Sequence, residues 1–501
     1  MFDSQKIDSY FDDKAAYSSR SLTLKHKQVA WRRLFKLILP CLAAILLGVL
    51  VVIPNIKKNT DLKSAVTMPR KNEMEQLHME ETIFNITDNK NRVNKIVADS
   101  VDEVEAGSQR YKIINPKATL PTDTGTTDIS ADVGFFNQQN NVLELKKNVR
   151  TKAEKNTLIT TESAIYDFDN DKGWGDAPVA AKGDWGTMTA AAFTYDKINE
   201  LLVLKGKHQI ITERGILTAE EQTQIFRNEN KTISHGNAVV TQNDKKLYAD
   251  KIVAYFTESS KKELLRVEAY GNVHLVSPKE TIIGAKGMYD VSRGVVEMYA
   301  DNNHNKTNAN YVLAKQGKNE LRAKYLQLNL SGTEHKEISK VYATGNIMLQ
   351  TSSEIITGSE GYYFPQIGKL ELYGITKGAP EHRQMVVIKQ GENVLFARRV
   401  EVWLDRNNQI TQAKAFDSVE IETPKGLAFG DRGVYNPEQK KVELFDNVRL
   451  EQNGNFIFGA HAETDLETSV SRITGNETTG GRIRGTFYKK RKENNGFNAK
   501  K

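Results

Sequence analysis

Between Val341 and Gln350 every second residue is apolar or small: Val341, Ala343, Gly345, Ile347 and Leu349. The residues between them, Tyr342, Thr344, Asn346, Met348 and Gln350, are mostly polar. A strand turns successive side chains to opposite faces, so this stretch reads as one half-buried strand, with Gly345-Asn346 marking a bend or bulge midway. The pattern returns with Val267, Ala269, Val273 and Leu275 around Gly271-Asn272. Weaker versions stand at 143–149, 202–206, 235–239, 415–421 and 444–450. A second pattern, Leu-x-Ala before a β-rich run, occurs at Leu247-Tyr248-Ala249 and Leu321-Arg322-Ala323. Together the two recur every ~30–45 residues, the range of repeat architectures. Such a chain is expected to be all-β and antiparallel, with short hydrophilic returns between strands.

One segment breaks this pattern. From Leu37 to Ile53 there is no charged residue, and a helix of that length spans about 26 Å, near the low end for crossing a bilayer. Pro40 falls in its first turn, where a missing N–H matters least. Lys25, Lys27, Arg32, Arg33 and Lys36 precede it, which favours a cytoplasmic N-terminus. Pro54-Asn55-Ile56-Lys57-Lys58 follows, with no small-x-small cleavage site, so an uncleaved anchor is expected rather than a signal peptide. The sequence divides into a cytoplasmic tail (1–33), a transmembrane helix (34–56), a polar stalk (57–105), a first β region (106–214), a second β region holding the clearest repeats (215–480) and a basic tail (481–501).

The search for chemistry excludes more than it finds. Cys41 is the only cysteine and lies in the apolar segment, so no disulfide within the chain and no Cys/His zinc cluster are expected. Asp167, Asp169 and Asp171 imitate the start of a calcium loop, but Lys172 and Pro178 stand where glycine and glutamate are needed. Gly173-Trp174-Gly175 runs on to Pro178 with no helix behind it, so it is no dinucleotide fingerprint. No nucleophile elbow or phosphate loop is present. The histidines are scattered and read as surface or satisfied strand residues. No cofactor, metal or catalytic residue is expected. A net charge of +7 over 501 residues reads as a mixed solvated surface rather than a nucleic-acid footprint.

What remains is an architecture whose function is its shape. Many strands, apolar on one face, curl into a jelly roll with the apolar set inside. A closed interior is a core; an interior whose edges stay apart is a trough for acyl chains, with free strand edges to add neighbours. The pattern alone leaves both open.

The anchor, Asn115-Pro116, and Ala177-Pro178-Val179 with Gly183 and Trp185-Gly186-Thr187-Met188-Thr189-Ala190, followed by Leu202-Val203-Leu204-Lys205-Gly206, resemble the LptC/YrbK-type bitopic proteins of lipopolysaccharide export. Leu247-Tyr248-Ala249-Asp250 and Ala269-Tyr270-Gly271-Asn272-Val273-His274-Leu275 resemble the LptA/OstA-type periplasmic bridge proteins. The family usually splits these parts between two proteins; here they are fused. The block 394–473 departs further, with Asp417-Ser418 and Asp446-Asn447 in place of Gly-Asn. The resemblance implies tandem open β-jelly rolls, an LptC-like one over 106–214 and LptA-like repeats over 215–480, joined by edge strands and without catalysis. It implies that lipopolysaccharide is bound through its lipid A acyl chains. The lipid would be received from an inner-membrane ABC transporter and passed toward an outer-membrane partner or further bridge protomers. On it we expect Leu202, Leu204, Val267, Ala269, Val273, Leu275, Val341, Ala343, Ile347 and Leu349 to line the lipid groove. The chain would sit in the inner membrane by one pass, with its bulk in the periplasm. The alternative is an envelope scaffold that assembles by edge pairing and binds no lipid; an enzyme on a β scaffold is the remotest reading.

Overall fold

The computed structural model describes residues 77–487 apart from 88–92, 122–125, 154–155, 168, 171, 259–262, 302–309, 333–336, 375–384, 407–408, 469 and 476–480. The expected transmembrane helix, the tail before it, most of the stalk and most of the basic tail lie outside the described residues. Among those described, no helix is long and apolar enough to cross a membrane. The described chain is antiparallel β throughout, with one short 3-10 turn at Pro365–Ile367. It forms two compact units, Met1–Ala269 and Tyr270–Lys501.

The end of the expected stalk is not irregular. His78–Thr87 pairs with Val93–Glu103, which pairs in turn with Arg110–Ile114 and Lys117–Pro121. Ile83 and Val97 face each other in that first pair and are both exposed. Apolar side chains on the outer face blur the stripe by which a strand is read from sequence.

Long strands alternate with pairs of short ones. Glu337–Gln350 is the pattern: it pairs with Tyr325–Ser331 along its first half and with Asn319–Ala323 along its last residues. The break between the two short strands falls at Lys324, opposite Gly345-Asn346. There the register slips, Thr344 facing Glu360 and Ile347 facing Gly358. Gly345 and Asn346 have φ of 83° and 53°. Left-handed backbone costs an ordinary L-residue ~1–2 kcal/mol, so glycine and asparagine hold such positions. The Lys324 N–H donates to the carbonyls of Thr344 and Gly345, at 3.0 and 2.9 Å. In the same way Asp132 donates to Lys147, Glu220 to Gly236 and Arg398 to Asp417.

Among the described residues six long strands carry such a left-handed pair: 147–148, 236–237, 271–272, 345–346, 417–418 and 446–447. Asp417-Ser418 and Asp446-Asn447 are among them, so the block that departs in sequence keeps the geometry. Where the second residue is asparagine, its side chain often reaches back to an acid. Asn148 donates to Asp132 at 2.8 Å, Asn237 to Glu220 at 2.8 Å and Asn447 to Asp431 at 2.7 Å.

At every one of these pairs the residue two before and the residue directly after are buried: Leu145 and Val149, Ser234 and Ala238, Ala269 and Val273, Ala343 and Ile347, Ala415 and Val419, Leu444 and Val448. The strand therefore folds over at the pair and brings its two halves face to face. A Cβ on Gly433 would meet Val419 from one half at 3.3 Å and Ala415 from the other at 3.7 Å. The two halves are walls, and the line of bulges is the crease between them. Within the second unit the plan repeats: Glu280, Ile282, Gln316, Leu321 and Ala323 recur at one offset as Glu354, Ile356, Gln390, Leu395 and Ala397.

Candidate functional site

The inner face of one wall of the second unit is an unbroken apolar row. Leu321 is in register with Leu349, Leu349 with Ile356, Ile356 with Ile388, Ile388 with Leu395 and Leu395 with Ile421. Ala428, Leu450 and Ile457 continue it. At a strand spacing of ~4.8 Å this row runs roughly 40 Å. Most of its members are half-buried, and Ile356 is buried. The facing wall carries Val341, Tyr363, Leu370, Val402 and Ala413 in register. Between the walls the crease is lined by small and aliphatic residues, Ala343, Gly361, Leu372, Val400, Ala415 and Gly433. Glycine and alanine there let the two walls approach.

The outer face is chemically different. Tyr299, Tyr325, Tyr342, Tyr362 and Tyr373 form a ladder with ring centroids 4.9 to 6.2 Å apart. The Tyr325 hydroxyl donates to Glu297 at 2.6 Å and the Tyr362 hydroxyl to Glu360 at 2.5 Å. That bond to Glu360, with burial, pushes the Tyr362 hydroxyl up to about 12. Further along, the Arg399 guanidinium lies 4.3 Å over the Phe416 ring. Lys369 bonds Glu371 at 2.6 Å, which holds its ammonium above the ordinary lysine range. Some of these pairs join neighbouring strands, as Arg399 and Phe416 do, and others, Tyr362 with Glu360 and Lys369 with Glu371, join residues two apart on one strand.

The residues expected from sequence divide between the units. Leu202 and Leu204 are buried in the core of the first unit, beside Phe193 and Tyr195. Val267 is half-buried and Ala269 buried, at the end of that unit. In the second unit Val273 is buried and Leu275 half-buried. Val341, Ala343, Ile347 and Leu349 come together on one strand. Ala343 and Ile347 flank the crease, and Val341 and Leu349 stand one step up each wall. Gly345 does not join the inner stripe. It is the first residue of the bulge, and a Cβ there would lie 2.6 Å from Lys324 Cβ.

Sequence reasoning missed Ile388, Leu395 and Ile421, which sit in short strands or one slip beyond a bulge. A signal was present, because Leu395-Phe396-Ala397 and Leu217-Thr218-Ala219 both follow the Leu-x-Ala pattern. It also missed a buried polar set in the first unit, His208, Thr223 and Ser234.

Among the described residues no three His, Cys, Asp or Glu side chains converge on a metal position. A shallow depression of about 510 Å³ in the first unit is bordered by Asn148, Arg150, Glu162, Pro178 and Lys207, with charges of both signs.

A β scaffold whose inner faces carry continuous apolar rows has the build of a carrier or bridging protein. Residues 40–213 match the family Lipopolysaccharide-assembly, LptC-related. Residues 217–310 and 384–470 match the LptA/(LptD N-terminal domain) LPS transport protein family. The two matches together span most of the chain, and it belongs to the LptC–LptA-type lipopolysaccharide transport proteins. It is a non-enzymatic component of the periplasmic lipopolysaccharide transport bridge. The chain is also similar to the crystal structure of LptH from Pseudomonas aeruginosa, the LptA homologous periplasmic component of the conserved lipopolysaccharide transport device. The identity is 19% and the TM-score 0.23, covering 27% of this chain and 95% of that one. No curated protein matches the chain.

Proposed function

We propose that the chain holds lipopolysaccharide by its lipid A acyl chains between the two walls and passes it from the inner toward the outer membrane. The observation that carries this reading is the row from Leu321 to Ile457, apolar at every strand it crosses. Each methylene laid against it gains ~0.8 kcal/mol, so many weak contacts hold the lipid without one deep trap. Val341, Ala343, Ile347 and Leu349 line this path, with Val273 and Leu275 in the same unit and Leu202, Leu204, Val267 and Ala269 in the first.

The uncharged segment 37–53 anchors the chain in the inner membrane by a single pass, with residues 1–33 cytoplasmic and the β units periplasmic as tandem open jelly rolls. An inner-membrane ABC transporter loads the lipid. His78–Thr87 has one neighbour among the described strands, which leaves an edge for pairing with a partner. The far end pairs with an outer-membrane partner or a further bridge protomer.

Site-specific photo-crosslinking in cells tests the lipid path. A probe at Leu349, on the inner face, captures lipopolysaccharide; a probe at Met348, one residue along and on the outer face, does not. Equal capture at both positions, or capture at neither in a folded chain, overturns the reading.

A further inference from the structure

Among the described residues seven polar side chains are buried, and all lie in the first unit. Three of them join hands across the crease. His208 stands directly after the bulge at Gly206, whose φ is 67°. Val149, Ala238 and Val273 hold that place in other long strands. Ser234 stands two before a left-handed pair, where Leu145, Ala343, Ala415 and Leu444 are found elsewhere. His208 lies on one wall between Ala190 and Ala219. Thr223 and Ser234 are neighbours on the facing wall, between Leu204 and Ile252.

The three are bonded in series. The His208 Nδ1–H donates to the Gly206 carbonyl at 2.7 Å. Its Nε2 is 2.5 Å from Thr223 Oγ1, and that oxygen is 2.9 Å from Ser234 Oγ. Thr223 Oγ1 therefore sits between the His208 ring and Ser234 Oγ and links the two. The chain of bonds ties one wall to the other. It does so where the two family segments meet: the LptC-related match ends at residue 213 and the LptA-type match starts at 217. The sheet itself runs through that point, Thr212 pairing with Gly215.

We propose that His208, Thr223 and Ser234 form a polar sill that divides the acyl path of the first unit into two stopping places, one on each side of the join. This rests on the reading of the inner faces as an acyl path. Over an aliphatic crease a methylene gains burial; over the sill it meets dipoles already bonded to one another. The tie also fixes the distance between the walls, so a chain cannot settle as deeply there. A lipid straddling the sill is therefore less stable than one on either side. Transfer across the join becomes a step between two occupied states instead of a slide.

Three probes in one row separate the possibilities. Met188, Ile210, Leu217, Val240 and Leu247 are in continuous register on one wall, with Ile210 two residues beyond His208. In the full-length protein in cells, photoreactive residues at Met188 and Leu247 capture lipopolysaccharide and one at Ile210 captures several-fold less. Thr223→Val removes the shared hydroxyl at nearly constant volume, and capture at Ile210 rises at least about threefold relative to its neighbours. Thr223→Ser keeps the hydroxyl and the native distribution. Where Thr223→Val does not accumulate, His208→Val installs the residue found at this place in other strands and shows the same rise. Capture at Ile210 equal to its neighbours in the native protein, or unchanged in both variants, overturns the sill. Capture at none of the three positions removes the acyl path itself, and the sill with it.

Discussion

The Lys324 amide donates to the Gly345 carbonyl at 2.9 Å, and its own Cβ fills the space a side chain on Gly345 would need. This one contact sets the crease. Two short strands break at Lys324 so that one long strand can bulge at Gly345, and both walls depend on it. Gly345→Ala adds a Cβ 2.6 Å from Lys324 Cβ at a φ of 83° and is expected to cost about 2–3 kcal/mol of stability. Gly391→Ala is the control. Its φ is 58°, but nothing lies within 4 Å of the added carbon, so the loss should stay near ~1 kcal/mol. Denaturant unfolding of the two variants measures the difference; equal losses would show that the contact with Lys324 does not define the fold-over.

Ile347 and Met348 are adjacent and face opposite ways. Ile347 is 3% exposed beside Gly361, and Met348 pairs on the outer face with Arg322 and Thr357. Ile347→Asp is expected to abolish lipid loading, whereas Met348→Asp leaves it within about twofold. Copurified lipopolysaccharide, quantified per mole of protease-resistant protein, reads this out. Equal loss with both variants folded counts against the inward assignment.

Burial holds the His208 imidazole below the ordinary histidine value of 6.5, against a smaller opposite effect of the Gly206 carbonyl. In the unfolded chain the ring takes its proton near 6.5, before the folded chain does. Between those points the unfolded state binds more protons, so stability is complete above pH 6.5 and falls as pH drops below it. His208→Gln keeps a polar side chain without the titration. Unfolding curves at pH 7.5 and 5.5 should show the native protein losing more stability than this variant; parallel curves would mean that the ring titrates alike in both states.

Much of the fold was legible because its signals are local. Gly345-Asn346 names the bulge, since only a few residue types hold left-handed backbone, and the alternation around it names the inner face. The row from Leu321 to Ile457 was not legible. Its members are neighbours across strands, as Leu395 and Ile421 are, and register between strands cannot be read from either strand alone. The hairpin of His78–Thr87 and Val93–Glu103 was hidden by apolar residues on its outer face. The histidines read alike, as surface or satisfied strand residues, and nothing local set His208 apart, because Thr223 and Ser234 lie 15 and 26 positions on, in strands whose pairing was unknown. Asp417-Ser418 taught the converse lesson. A change of residue type suggested a change of role, yet the backbone kept the same pair of left-handed residues.

That last case can be tested directly. Asp417 and Ser418 have φ of 64° and 60°, conformations that glycine and asparagine adopt at lower cost. The Arg398 N–H already donates to the Asp417 carbonyl at 3.2 Å, a bond that does not depend on the side chain. Replacing the pair by the Gly-Asn of the other strands, Asp417→Gly with Ser418→Asn, relieves strain in the folded state and loosens the unfolded one. The first effect is worth ~1–2 kcal/mol and the second under ~1 kcal/mol, so a net gain of about 1 kcal/mol is expected. Because the crease keeps its shape, lipid capture by a probe at Ile421 should not change. A loss of stability would show that the Asp417 and Ser418 side chains support the bulge themselves, and a loss of capture would show that the third block is tuned rather than merely tolerated.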